Sequence, residues 1–230
     1  MADNLGIKRS WFHKNHYDIP KKRIKEIISK SIMVSTREII NIKNNQMELR
    51  MYFFVPYNIS PIQQAIQAGH AAQQYDFKYR DNFQTIDFIV NHKTWIILNG
   101  GTTNDNPDTP GTMQEIFNDI LAFNEHNGRD VNVTTFHEPD LNDAMTAICF
   151  VCEEPVFNYD DYPDLAEYIL SIDFPDGTKA KQDSYRIKRD STYEELKELF
   201  HTSYEMWEKD VMGGSKNVFL RNLLKGKKLA

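Results

Sequence analysis

Cysteine is scarce in this chain of 230 residues, which contains only Cys149 and Cys152. Both belong to the apolar run Ala-Ile-Cys-Phe-Val-Cys, whose composition is typical of a buried strand. Residues three apart on a strand point to opposite faces, so the pair is poorly placed to chelate a metal or to form a disulfide. The sequence therefore predicts no metal site and two ordinary core thiols, as expected in a reducing compartment.

Long apolar runs are also missing. No stretch approaches the roughly 20 residues needed to span a bilayer, and the opening residues MADNLGIKR contain no apolar signal core. Neither the P-loop spacing nor a G-x-G-x-x-G fingerprint is present. We therefore expect a cytoplasmic protein that makes no membrane contact and needs no cofactor. Its richness in Asn, Lys and Ile hints at an AT-rich genome, such as that of a bacteriophage or a low-GC bacterium.

Net positive charge is confined to the two ends of the chain. Residues 1–50 carry a net charge of +6 and residues 213–230 a net charge of +5, with no acid in the second segment. Because the whole chain carries −6, the residues between them carry −17. A polyanion would be repelled by this acidic body unless the basic ends or a local patch overcame the repulsion.

The N-terminal arm, residues 1–47, contains a predicted basic helix from Pro20 to about Ser31. Three isoleucines share one face of this helix: Ile24, Ile27 and Ile28. Two interpretations are open. The helix packs its apolar face on the acidic body, or it binds phosphate groups through its basic residues Lys21, Lys22, Arg23 and Lys25.

Residues 48–172 alternate between strand-like and helix-like patterns. Strands are predicted over Leu49–Val55, Thr94–Leu98, Val131–Phe136 and Met145–Cys152. Helices separate or follow them, and this order predicts an α/β domain with a four-stranded mixed sheet and helices on both faces. Residues 173–230 are predicted to be a helical C-terminal extension that ends in a basic tail.

The helix after the first strand has the clearest pattern, from Ser60 to about Tyr75. Ser60 suits the N-cap, Pro61 the first helical position, and Gln63 completes a capping box. Helical spacing predicts a small apolar face against the sheet, formed by Ile62, Ala65, Ile66, Gly69 and Ala72. A second face is polar and is either solvated or part of a ligand site: Gln63, Gln67, His70 and Gln74.

This strand–helix unit resembles the type II peptidyl-tRNA hydrolase family, whose first helix reads Ala-Ala-Gln-x-x-His-Ala. Gln67, His70 and Ala71 match that motif, and the order of elements follows the family plan over about residues 48–172. Gln63 stands where the family has a functional lysine. Either His137 or Glu138 lies nearest to the family's aspartate in the loop between the last two strands.

The resemblance implies hydrolysis of the ester between a peptidyl or N-blocked aminoacyl group and tRNA, by an altered site. His70, His137 and Glu138 are the candidate catalytic residues, since they can transfer protons near neutral pH. Glu138 together with either histidine would activate a water molecule. Candidate substrate-binding residues are the helix glutamines Gln63, Gln67 and Gln74, with Thr102 and Thr103 of a Gly-Gly turn whose amides suit an anion.

The alternative function is a non-catalytic binding or assembly protein that reuses the fold. In that interpretation the basic ends and the C-terminal helices contact a protein or a nucleic acid. The missing lysine, the altered loop and the acidic body favour binding, whereas the helix motif and the element order favour the enzyme.

Overall fold

The computed structural model describes residues 47–103, 108–127, 131–173, 187 and 191–230. The predicted N-terminal helix over residues 20–31 lies outside these ranges. Residues 48–230 form one compact unit, so the C-terminal helices belong to the same unit as the sheet.

Four strands form a mixed sheet in the order β2-β1-β4-β3. β1 runs parallel to β2 and antiparallel to β4, and β4 runs antiparallel to β3. The predicted α/β class and four-stranded mixed sheet are thus confirmed. The carboxyl ends of β1, β2 and β3 consequently lie at one edge of the sheet. The strands are β1 (Leu49–Pro56), β2 (Thr94–Gly101), β3 (Val133–Glu138) and β4 (Ala144–Glu153).

Seven α-helices occur in the described ranges, and none of them is long and apolar enough to cross a membrane. The short helix over Phe83–Asp87 continues directly into a π-helical turn, Phe88–His92. The α-helices are α1 (Pro61–Lys78), α2 (Phe83–Asp87), α3 (Thr112–Asn127), α4 (Leu165–Asp173), α5 (Tyr193–Leu199), α6 (His201–Met206) and α7 (Ser215–Leu224).

The start of α1 confirms the predicted cap, but the face that it buries differs from the predicted one. Ser60 and Gln63 form the capping box. Ile62 and Ile66 are exposed by 74% and 49%, and a Cβ added to Gly69 would contact nothing within 4 Å. The prediction that this face packs on the sheet was therefore wrong, apart from Ala72. The buried residues are Gln64, Gln67, Ala68, Ala71, Ala72 and Tyr75.

Each face of the sheet carries its own hydrophobic core. α1 covers one face, where Phe53 and Cys149 pack against its alanines. α3 and α7 cover the other face, where Leu220 packs in the same cluster as Phe150 and Cys152. The two thiols therefore point to opposite faces, as the strand spacing predicted. Burial raises the pKa of both thiols.

β2 is longer than the sequence indicated and continues through Gly100 into Gly101. A Cβ on Gly100 would lie 2.2 Å from Sδ of Met113 and 3.1 Å from Cβ of Phe54. Glycine at this position lets α3 approach the sheet closely. The glycines that follow Asn99 therefore serve close packing as well as reversal of the chain direction.

The free side of β2 is paired with the tail, which we define as residues 225–230. Asn99 N donates to the carbonyl oxygen of Lys228 at 2.9 Å, and Ala230 N donates to that of Ile97 at 3.1 Å. Leu98 and Leu229 form an antiparallel bridge between these two bonds. The tail thus covers part of a sheet edge that would otherwise present unpaired backbone groups.

Candidate active site

The candidate residues surround the edge of the sheet at which β1, β2 and β3 end. α1 begins at this edge, because its N-cap Ser60 follows closely after β1. In open α/β sheets ligands bind in the crevice outside the carboxyl ends of the strands. This edge is therefore the place to look for a site.

A chain of side-chain hydrogen bonds links α1 to β3 and β4. Thr146 Oγ1 donates to Oε1 of Gln67 at 2.7 Å, and Gln67 Nε2 donates to Oε2 of Glu138 at 2.8 Å. Thr146 is 1% and Gln67 8% exposed, whereas Glu138 is only half-buried. The buried pair holds a carboxylate that still reaches the surface. Gln67 uses both ends of its amide in this chain, so it positions Glu138 and does not face the solvent.

Thr146 reaches this chain because of an irregularity in β4. The pairing of β3 with β4 shifts after Phe136, whose partner is Ala147, while His137 pairs with Met145. Met145 and Ala147 consequently point to opposite faces although they are two residues apart. The extra residue, Thr146, is re-aimed towards α1. The sequence contains no local signal for a bulge, and for this reason Thr146 escaped the sequence analysis.

His70 lies one turn after Gln67 on α1. Its ring stacks on that of Phe136, with centroids 4.6 Å apart and an interplanar angle of 26°. Phe136 and Glu138 are two residues apart on β3 and share the face that α1 covers. Stacking fixes the plane of the exposed imidazole against the face of β3 that also carries Glu138. Gln67 and Glu138 are thus in contact, with His70 one helical turn away on α1, and we call these three residues the cluster.

His137 does not join this cluster. It lies between Phe136 and Glu138 on β3, so its side chain points to the opposite face. Its Nδ1 lies 2.8 Å from the carbonyl oxygen of Asp143, which can only accept, so Nδ1 donates in this contact. Of the two pairings that the sequence left open, the geometry favours Glu138 with His70.

The other two glutamines are also separate from the cluster. Gln63 Oε1 accepts from the backbone N of Ser60 at 3.0 Å, which is the second half of the capping box. Gln74 is exposed almost two turns beyond Gln67, about 10 Å further along the helix at 1.5 Å per residue. Gln63 is thus engaged in the helix cap, and Gln74 lies nearer the other end of α1.

Thr102 and Thr103 lie at the same edge but on its other side. They follow β2, and the order β2-β1-β4-β3 separates them from Glu138 by three strand spacings, about 14 Å. The carbonyl oxygen of Thr102 accepts from the backbone N of Met113 at 3.1 Å, and Thr102 itself is exposed. The Oγ1 atom of Thr103 is buried without a partner in the described part of the chain.

The charge near Glu138 is negative. Asp140 and Asp143 follow it in the loop to β4. Residues 57–77 and 131–146 contain no lysine or arginine. Within the described ranges there is also no group of three or more His, Cys, Asp or Glu side chains that would hold a metal ion. The chemistry of this cluster therefore rests on one carboxylate and one imidazole.

Comparison with known proteins assigns no function to the chain. A protein-family model with the description "Protein of unknown function (DUF4031)" matches residues 1–46, the segment that the sequence analysis assigns to the basic arm. A search among curated proteins finds no match. The function therefore has to be argued from the cluster around Glu138.

Proposed function

We propose that the protein hydrolyses an acyl ester, with Glu138 as the general base, and that its substrate is a peptidyl- or N-blocked aminoacyl-tRNA. The contact of Gln67 with Glu138 carries this proposal. A carboxylate that is fixed by a buried amide and half exposed at a ligand-binding edge suits proton abstraction from water. The sequence resemblance to type II peptidyl-tRNA hydrolases supplies the substrate class, and the cytoplasmic location is proposed from the composition of the sequence.

In the proposed reaction one oxygen of Glu138 is held by Gln67, and the other accepts a proton from water. The water oxygen bonds to the ester carbonyl carbon, and the bond from that carbon to the ribose oxygen then breaks. His70, one turn from Gln67, protonates the departing ribose oxygen. Glu138 then releases its proton to solvent and His70 takes one up from solvent, so that both groups are restored and only water is consumed.

The missing lysine changes how this site would stabilise negative charge. Gln63 occupies the matching position, and its carbonyl oxygen is committed to the cap of α1. On α1, His70 is the residue nearest to Gln67 that can carry a positive charge. We therefore expect hydrolysis to depend on His70 both as an acid and as a positive charge.

The decisive experiment measures release of tRNA from N-acetylphenylalanyl-tRNA by the purified protein. Glu138→Gln keeps the size of the side chain and removes its basicity, so we expect turnover to fall by about 10²-fold or more. Glu198→Gln, an exposed residue of α5, controls for the loss of one negative charge. Equal turnover in the wild type and in a folded Glu138→Gln variant would refute the role of Glu138.

The second candidate function is non-catalytic binding, and the lack of lysine and arginine near Glu138 favours it. Removing residues 213–230 is not a clean test of this alternative, because Leu220 and Arg221 of α7 are completely buried. Substitution of exposed side chains is the appropriate approach. A folded wild-type protein that releases no tRNA would make binding the leading function.

A further inference from the structure

The outer edge of β3 carries backbone groups that face away from the sheet. At its start, Val133 N donates to the hydroxyl of Tyr79 at 3.1 Å, and Val133 O accepts from this hydroxyl at 2.9 Å and from Lys78 Nζ at 3.1 Å. Because successive residues of a strand turn their N–H and C=O groups to alternate sides, those of Thr135 and His137 also face outward. Within the described ranges no hydrogen bond reaches the outward groups of these two residues.

The other strands of the sheet have paired edges. β1 and β4 lie inside the sheet, and the outer edge of β2 pairs with the tail. An open edge like that of β3 accepts a further strand. A second copy of this chain offers an identical edge, and two identical edges can pair antiparallel about a twofold axis.

The cap on Val133 selects one register for such a pair. Pairing Thr135 with the partner's Thr135 would place Val133 opposite His137 and would require backbone groups that Tyr79 already occupies. Pairing Thr135 with the partner's His137 uses only open groups, and each such pair exchanges two hydrogen bonds. In this register Phe136 lies opposite the partner's Phe136, with Cα atoms about 4.5 Å apart.

Aromatic rings meet at the axis in this register. A twofold axis between antiparallel neighbours of one sheet stands perpendicular to the sheet, so α1 of both copies covers the same face. Phe136 is half-buried on that face and stacks on His70. The axis therefore brings together the Phe136 rings of the two copies, each backed by its own His70. Cross-strand aromatic pairs of this kind stabilise antiparallel sheets.

The surface of α1 beside this axis carries no carboxylate, ammonium or guanidinium group. Residues 57–75 contain no Asp, Glu, Lys or Arg. His70 and Gln74 are exposed on the side of α1 from which Gln67 reaches Glu138 of β3. Close to a twofold axis each side chain meets its own copy, so a charged group would be repelled by its equivalent. Self-association thus explains why this helix face is polar but uncharged.

Opposite charges meet further from the axis. The register places Val133, and with it the Nζ atom of Lys78, opposite the partner's Pro139. Glu138 and Asp140 flank this proline in the sequence. The twofold axis repeats the arrangement, so the lysine of each copy meets the two acids of the other.

We infer that two copies of this chain pair through the outer edges of β3, and that Lys78 of each copy lies beside Glu138 and Asp140 of the other. The pairing itself is independent of the proposed hydrolysis. Its consequence rests on that function, because the partner's Lys78 supplies the positive charge that residues 57–77 and 131–146 lack. The candidate active site is then complete only in the dimer.

Sedimentation velocity of the full chain at rising protein concentration measures the association. Thr135→Pro removes an outward N–H and places a ring in the way of the partner strand, while the bonds between β3 and β4 are kept. We expect this variant to be monomeric at concentrations at which the wild type is a dimer. Thr135→Val keeps the N–H and the branched side chain, and should dimerise like the wild type.

Cysteine cross-linking tests the register without relying on proline. Phe136→Cys places two thiols on directly opposite residues, within the Cα separation of about 4.4–6.8 Å that a disulfide needs. Thr135→Cys places them on diagonal residues about 7–8 Å apart, so oxidation should cross-link only the first variant. The native Cys149 and Cys152 are buried and should not interfere.

The role of the partner's lysine is tested by Lys78→Gln. We expect the dimer Kd to rise by about 2–5-fold for each of the two ion pairs lost, as is typical of exposed pairs. Lys209→Gln, an exposed residue of the π-helical turn Trp207–Val211, is the matched control and should leave Kd unchanged. Hydrolysis of N-acetylphenylalanyl-tRNA should fall in Lys78→Gln even at concentrations at which it is dimeric.

The outcomes separate this inference from the proposed function. A wild type that remains monomeric, a dimer that survives Thr135→Pro, or equal cross-linking of the two cysteine variants would overturn the β3 pairing. A β3-paired dimer that releases no tRNA would support the pairing and overturn only the proposed chemistry. Wild-type hydrolysis by monomeric Thr135→Pro would overturn the contribution of the partner's Lys78 to the site.

Discussion

Thr146 Oγ1 lies 2.7 Å from Oε1 of Gln67, and this contact fixes which end of the Gln67 amide faces Glu138. A glutamine amide has one accepting and one donating end. If the amide were reversed, its oxygen would face the carboxylate of Glu138, which can only accept when ionised. The hydroxyl and the carboxylate therefore require the same orientation of the amide between them.

Replacing Thr146 by valine should destabilise the fold and disturb Glu138. The change keeps the shape of the side chain but leaves the buried Oε1 of Gln67 without its donor. We expect the free energy of unfolding to fall by about 1–3 kcal/mol, the cost of a buried polar group without a partner. Urea unfolding measures this difference. Thr146→Ser keeps the hydroxyl and should lose clearly less stability, whereas equal losses would show that the methyl group is what matters.

A pair of glycine substitutions tests the packing of α1 and α3. Gly100→Ala would place a Cβ 2.2 Å from Sδ of Met113, and overpacking of this kind costs about 1–3 kcal/mol. Gly69→Ala meets nothing within 4 Å and replaces a helical glycine, so it should stabilise the protein by about 0.5–1 kcal/mol. Opposite shifts in Tm are expected, and a loss of stability in Gly69→Ala would mean that this face of α1 is packed.

The features that could be predicted from the sequence depend on residues that are close together along the chain. The capping box of α1 needs only Ser60 and Gln63, three residues apart. The opposite orientation of Cys149 and Cys152 follows from the alternation of side-chain direction along a strand. The strands themselves were recognisable as apolar runs, and their alternation with helices was enough to predict an α/β domain whose sheet is covered by helices.

The features that the sequence did not reveal depend on distant partners. Gln67 is buried because Glu138 and Thr146, more than 70 residues away, satisfy its amide. Gln64 is buried because its Nε2 donates to the carbonyl oxygen of Pro56 at 3.1 Å. A count of apolar positions assigns both glutamines to the solvent and therefore turns α1 towards the wrong face. Pairing of the tail with β2 likewise has no sequence signal.

Acid should weaken the contact between β4 and α7. Burial alone would raise the pKa of Glu153, but Lys216 at 2.7 Å and the amides of Asn217 and Gln84 bring it below the ordinary value of 4.5. A carboxyl group with a lowered pKa stabilises the fold above its unfolded pKa, and this stabilisation is lost as the pH falls through the folded pKa. Glu153→Gln should therefore be less stable than the wild type at pH 7.

The difference between the wild type and Glu153→Gln should shrink as the pH falls below about 4.5, since protonation removes the same charge from the wild type. Urea unfolding at a series of pH values from 7 to 3 measures this difference in the free energy of unfolding. Glu198→Gln serves as the control for the loss of one exposed carboxylate. A difference that stays constant down to pH 3 would contradict the assigned role of the Glu153 charge.

Two arginines that stack on aromatic rings should respond differently to substitution by lysine. Arg221 is fully buried, lies 4.0 Å from the ring centre of Tyr159, and donates to the carbonyl oxygens of Tyr162 at 2.6 Å and Pro163 at 3.2 Å. Arg50 lies equally close to the ring of Phe157, but its side chain is 33% exposed.

An ammonium group cannot reproduce the planar fork of a guanidinium. Arg221→Lys should thus leave a buried carbonyl without its charged donor and cost about 1.5–3 kcal/mol, the range for hydrogen bonds to charged groups. Arg50→Lys should cost less than about 1 kcal/mol, because water can replace what an exposed pair loses. Denaturant unfolding of both variants measures the two losses of stability. Similar losses would mean that ring stacking, and not the buried carbonyl contacts, determines the contribution of Arg221.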